Sequence, residues 1–199
     1  MISDFNVVVF LLSTGIVLLT PGPTNTLLAA AGLNRGAKKA LPLIAFELGG
    51  YFIAISGWGI FLASLEQYYP WLSPVARVAC GCYLLYVAVK IWCSTENFPT
   101  TDSRTIGPVT VFVATMLNPK GLLFASAIFP PPAFDNVQVY LIATALFACM
   151  VVPIGSAWVM LGAVIGSGRV IAMNPVKLQR AFAVVIGVFS ATLVWTAVQ

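Results

Sequence analysis

Six long apolar runs divide the chain, and polar residues fall almost wholly in the gaps between them. The runs extend from about Phe5 to Leu33, Leu41 to Leu65, Trp71 to Cys93, Pro108 to Phe129, Val139 to Ile165 and Gln179 to Val198. Each is near or above the roughly 20 residues a helix needs to cross the hydrocarbon core of a bilayer. None shows the strict alternation of a barrel strand. The pattern predicts an all-α polytopic membrane protein with six transmembrane helices. The first run follows Asp4 rather than a basic segment and is too long for a signal core, so it reads as a span and not as a cleavable signal.

Two of the six runs are interrupted. Thr20-Pro21-Gly22-Pro23-Thr24-Asn25 cuts the first, and Asn118-Pro119-Lys120-Gly121 cuts the fourth. Proline removes an amide donor, clashes with the preceding turn and restricts the residue before it. Spans one and four are therefore expected to be pairs of half-helices meeting near the midplane. Irregular backbone at that depth survives only if protein buries it or it lines a cavity. Pro153 in the fifth run predicts a kink, and Gly162 with Gly166 predicts a close packing contact.

The longest polar stretch, Ser94 to Gly107, divides the chain into residues 1–93 and 108–199, with 94–107 as linker. Each part holds three runs and opens with the interrupted one. An odd number of spans per half makes the halves enter the membrane from opposite sides. The expectation is one transmembrane domain, 1–199, built as two inverted three-helix repeats. No residue-level identity between the halves accompanies it. Interrupted segments at matching places in two such halves are a pointer to a transport site.

Composition agrees with a bilayer environment. The chain of 199 residues is 60% hydrophobic and 8% charged, and its mean hydropathy is +0.97, whereas soluble domains carry about 25% charged residues. The net charge of +4 does not point to nucleic acid, because the ten basic residues form no patch. Instead they set topology. Arg35, Lys38, Lys39, Lys90, Arg104, Arg169, Lys177 and Arg180 flank the connections on one side, whereas Asp4, Glu66 and Asp135 lie on the other. The positive-inside rule puts that basic side in the cytoplasm and both termini outside. Arg77 is expected to snorkel outward beside the interfacial aromatics Tyr68, Tyr69 and Trp71. Cys80, Cys82, Cys93 and Cys149 have no CxxC spacing and no histidine to join them, so no metal and no cofactor is expected.

The chemistry concentrates at the breaks. Asn118 suits an N-cap and Pro119 a first helical position, and Gly22-Pro23-Thr24 could start a second half-helix. Helix N-termini present unpaired amides and the positive end of a dipole, a setting for an anion. Lys120 lies in the first turn, where a cation opposes that dipole. It also lies at a depth where charge costs at least about 2.5–3.5 kcal/mol. It is expected to face a cavity and meet a carboxylate, from a substrate or from the protein. Glu47 is the one acidic residue well inside a span. It is a candidate partner for Lys120, ligand for an amine, or carrier of a coupling proton. Gly50, Ala54 and Gly57 follow it as a small-residue stripe.

These residues carry a resemblance. The Pro21-Gly22-Pro23 and Asn118-Pro119-Lys120 segments, with Phe124, Phe129-Pro130 and Tyr83-Leu84-Leu85-Tyr86, are similar to the signatures of the LysE/RhtB family of bacterial amino-acid exporters. The likeness covers essentially the whole chain. It implies export of amino acids or related small metabolites across the bacterial inner membrane, driven by the proton gradient. The chain departs from the family pattern at Phe46, which stands at a glycine position. It departs again at Tyr51, where an acidic residue often follows the last glycine; Glu47 stands one turn earlier.

The combined expectation is a secondary transporter, not an enzyme, with a small-molecule substrate and lipid around it. The substrate site would comprise Pro21, Gly22, Pro23, Thr24, Asn25, Asn118, Pro119 and Lys120, with Glu47 as the proton or amine candidate. Another small solute or a metal ion as cargo, and a passive channel, stay open as alternatives. Too few polar residues line the spans for a continuous pore. With no histidine and one buried carboxylate, the usual acid–base pairs and triads are missing. A structural subunit would leave Lys120 unexplained. Homo-oligomerisation is left open.

Overall fold

The computed structural model describes residues 6–66, 68–93, 106–167 and 175–198. Asp4, Arg104, Arg169 and most of the Ser94 to Gly107 linker lie outside the described residues. Everything regular among the described residues is helical. In chain order these are α1 (Val7–Leu19), α2 (Pro23–Arg35), the single turn α3 (Ala37–Ala40), α4 (Leu43–Glu66), α5 (Leu72–Cys93), α6 (Pro108–Met116), α7 (Lys120–Leu123) running into a π turn (Phe124–Ile128), a 3-10 turn (Pro131–Phe134), α8 (Val137–Gly166) and α9 (Pro175–Val198).

Both interruptions occur where the prolines require them. The axes of α1 and α2 meet at 60°, and those of Pro108–Met116 and Lys120–Ile128 at 51°. Ala37–Glu66 and Val137–Gly166 are each long and apolar enough to cross a membrane, as are the two bent pairs if each is one span. Of the remaining helices, α5 has 22 residues and α9 has 24. α8 continues through Pro153.

Side chains and one glycine set the helix ends. Asn6 Oδ1 accepts from the amides of Val8 and Val9 at 3.1 Å each, which starts α1. Asn136 starts α8 in the same way, accepting from Gln138 and Val139 at 2.9 and 3.2 Å. These are N-cap bonds, and each capping residue is worth about 1 kcal/mol. Gly36 ends α2 with φ 76°, a left-handed conformation that only glycine adopts without penalty, and so turns the chain into α3.

The helices pack in a crossed arrangement. The first bent pair lies on α8, the second lies on α4, and α5 pairs with α9. Glycine makes the first contact close. A side chain at Gly32 would overlap the Val159 carbonyl, and one at Gly162 or Gly166 would overlap the Ala29 or Leu33 carbonyl. Gly162 and Gly166 thus serve as the packing contact that their spacing predicts. In the second contact, a Cβ at Gly50 would come within 2.7 Å of the Phe112 carbonyl and 2.8 Å of Thr115. The stripe expected along α4 is only partly real: Gly50 and Ala54 face the second bent pair, but Gly57 has nothing within 4 Å. In α5–α9, Ser190 Oγ donates to the Gly81 carbonyl at 2.7 Å.

Arg77 departs from the expectation of simple snorkelling. Its Nε donates to the Ser126 carbonyl at 2.8 Å. The reason lies in the sequence after the π turn. The residues four and five positions beyond Ser126 are Pro130 and Pro131, neither of which has an amide hydrogen. Ser126 therefore lacks a helical donor, and Arg77 supplies one.

Two apolar clusters make up the core, and Ile154 packs against both. One holds Phe10, Tyr51, Phe124, Phe129 and Phe147, with ring centroids 4.8–5.7 Å apart between neighbours. The other holds Leu28, Leu43, Ile106, Trp158 and Val159.

Candidate functional site

At the first break, α1 ends on Thr20, whose hydroxyl donates back to the Ile16 carbonyl at 2.9 Å. The carbonyls of the last turn then have no helical donor. Asn25 reaches back from α2 to cover two of them. Its Nδ2 donates to Leu18 O at 2.7 Å and to Thr20 O at 2.8 Å. Gly22 is extended (φ −166°, ψ 177°) and Pro23 takes the first helical position of α2. The first helical bond there runs from Thr26 N to Gly22 O at 2.9 Å, so the amides of Thr24 and Asn25 precede it and have no acceptor within the helix.

The second break is built differently. Asn118 Oδ1 accepts from the amide of Lys120 at 3.0 Å, and its own carbonyl accepts from Gly121 at 2.9 Å. Asn118 therefore caps the half-helix as its residue type predicts, with Pro119 as the turn between. It also occupies the amides that a bound anion would otherwise use. The first helix start keeps the amides of Thr24 and Asn25 uncommitted, whereas at the second the amides of Lys120 and Gly121 are both taken by Asn118.

Four side chains then tie the breaks together. Lys120 Nζ donates to Thr20 O at 2.7 Å. Asn118 Nδ2 donates to Thr24 Oγ1 at 3.1 Å, and Thr115 Oγ1 lies 3.2 Å from the same atom, its one proton shared between Thr24 and the Val111 carbonyl at 2.8 Å. Thr20, Thr24, Asn25, Thr115, Asn118 and Lys120 are all buried, the least so being Lys120 at 5% exposure. They form one buried polar layer at the two breaks. A Cβ on Gly22 would sit 3.3 Å from both Cε and Nζ of Lys120, so the ammonium rests over that glycine. Within the protein the acceptor of Lys120 is a main-chain carbonyl and not a carboxylate. The cause is the C-terminal end of α1, whose unpaired carbonyls and negative dipole end attract a cation.

Glu47 sits in α4, buried to 1% exposure, with Oε2 making no hydrogen bond. It makes no direct ion pair with Lys120, although each lies within electrostatic reach of the other. Gly155 of α8 faces it, at a point where a Cβ would come within 2.8 Å of Oε2. One turn later on α4, the Tyr51 hydroxyl is also buried without a partner. Two buried polar atoms without partners in one neighbourhood call for an occupant, since such groups are nearly always hydrogen-bonded.

A cavity of about 170 Å³ opens beside the second break, lined by Cys80, Tyr83, Leu84, Pro119, Lys120 and Leu123 among others. Pro119 and Pro23 are exposed and Pro21 is half-buried, so the prolines shape the breaks from their edges. The expected site left out Thr20 and Tyr51, noted only as part of the break and as a departure from the family pattern, and sequence reasoning missed Thr115 and Gly155. Thr115 carried a signal, standing three residues before Asn118 and so on its helix face. Gly155 carried none, because its role depends on what lies opposite. Among the described residues, no three His, Cys, Asp or Glu side chains gather as metal ligands.

A family model described as LysE type translocator matches residues 15–198 of the chain. No curated protein and no solved structure matches it.

Proposed function

The chain belongs to the LysE-type translocator family, and on that footing we propose that it exports amino acids or related small zwitterions from the cytoplasm. At the coarser level it is a multi-pass membrane transporter. The observation that carries the finer reading is the polar layer, where a buried lysine from one broken helix holds the carbonyl end of the other.

A substrate carboxylate is a stronger partner for Lys120 than a neutral carbonyl, because a charge-assisted bond between two ions exceeds one between an ion and a dipole. Binding would draw Nζ from Thr20 O toward the substrate. The uncommitted amides of Thr24 and Asn25 would contribute from the start of α2. Pro21, Gly22 and Pro23 keep the backbone open there, and Gly22 leaves room for the lysine. Thr24, Asn118 and Pro119 fix the geometry between breaks. Glu47 is the candidate for the substrate ammonium or for the proton that returns.

The crossed packing supports two inverted three-helix repeats with six spans in all. Each bent pair lies on the helix that follows the other bent pair, and the third helices pair with each other. That arrangement is unchanged when the halves are exchanged. Alternating access is then a rocking of one bent pair and its support against the other. The family likeness implies the bacterial inner membrane, and the charge of the connections argues for both termini outside.

The test is an efflux profile. Cells loaded with mixed amino acids and dipeptides are compared with cells carrying Lys120→Ala at equal membrane levels. At least one solute should leave wild-type cells and be retained by the variant. Equal external solutes in wild-type and empty cells would overturn the amino-acid assignment and turn attention to other metabolites and metal ions. A solute whose efflux follows only its own gradient would favour a channel.

A further inference from the structure

At the C-terminal end of α4, well away from the polar layer, lies a second cavity of about 90 Å³. Its apolar floor is Gly59, Phe129 and Phe134, with the two rings stacked at 6.2 Å. Its polar wall is Glu66 from the end of α4, Arg77 from α5 and Asp135 from the turn before α8. Two acids and one guanidinium thus line one small space, yet no two of them form an ion pair with each other.

The guanidinium is positioned rather than free. Its Nε is held by the Ser126 carbonyl, the acceptor that Pro130 and Pro131 leave without a helical donor. An arginine has five N–H donors, so the two terminal amino groups stay available. Charges of both signs, held apart around a space that accepts several waters or one small head group, match an ammonium and a carboxylate carried on one carbon. A simple cation would leave Arg77 opposed, and a simple anion would meet two carboxylates.

We propose that Glu66, Arg77 and Asp135 form a second site, separate from the breaks, that holds the ammonium–carboxylate head of a small zwitterion. Its part in transport rests on the export reading: it would receive the solute on the way out. Its occupancy does not rest on that reading.

The experiment uses the full chain, purified in detergent so that both faces are accessible. The four cysteines are replaced by serine or alanine, and Ala63→Cys places one thiol in the cavity wall. Its alkylation rate is measured with L-alanine, with ethylamine and with propionate. L-alanine should slow the reaction severalfold, and the single-charge analogues should not. Arg77→Gln should remove the protection, whereas Lys120→Ala should leave it. No protection by L-alanine, equal protection by the analogues, or loss with Lys120→Ala would each overturn the site. If the cysteine variant does not fold, thermal stabilisation of the unaltered chain by L-alanine, lost in its Arg77→Gln form, decides the same question. Protection without any efflux would sink the export reading and keep this site; efflux without protection would do the reverse.

Discussion

Lys120 stands in the first turn of one half-helix and at the last carbonyls of another, so two helix dipoles act on it with opposite sign. The bond to Thr20 shows which one it answers. The same carbonyl end explains Asn25. Asn25→Ala would leave Leu18 O unpaired and Thr20 O with Lys120 alone, at a cost of about 1–3 kcal/mol for the buried group left unpaired. The variant should melt earlier in detergent, and Asn25→Asp should do no better, because a carboxylate cannot donate. Gly155→Ala tests the wall of the Glu47 pocket. The added methyl would press on Oε2, and efflux should fall although the melting temperature moves little. A rise in efflux would show that Glu47 does not need the space. Much of this layer is legible in the sequence. Proline, asparagine and lysine in an apolar run announce themselves, and the cap by Asn118 follows from its residue type. What Lys120 touches is not legible there, because its partner is a main-chain atom a hundred residues away.

At the scale of elements, glycine decides which helices touch by backbone. Gly162→Leu would force α2 from α8, since even a methyl there overlaps the Ala29 carbonyl. Overpacking costs about 1–3 kcal/mol or more, so the protein should reach the membrane in much reduced amount. Gly57→Ala is the control: with nothing nearby it should be neutral or stabilising, by up to about 1 kcal/mol from helix propensity. Equal loss in both variants would remove the packing argument. The stripe on α4 shows why spacing misleads. Gly50, Ala54 and Gly57 share a helical period, but a period says which residues share a face and not where the neighbour ends. The π turn is equally hidden. Three prolines signal only an end to span four, and the orphan carbonyl they create becomes visible once Arg77 is seen to meet it.

For the whole molecule, charge and packing make separate claims. The charge pattern predicts that a phosphatase fused to the C-terminus is active outside the cytoplasm and that a fluorescent protein fused there stays dark. The opposite pair of signals would invert the topology. The all-helical class and the breaks are readable because bilayer thickness and proline chemistry are local constraints. The crossing of the halves is not, because it depends on which helix each bent pair chooses to lie on. That crossing has a consequence for biogenesis. While the ribosome is still making the second half, α2 has no α8 to lie against, and its glycine face and broken backbone stand unsupported in lipid. The nascent first half is then a natural target for membrane proteases until its partner arrives. Residues 1–93 and 94–199 expressed singly should be short-lived, and made together from separate messages they should rescue one another.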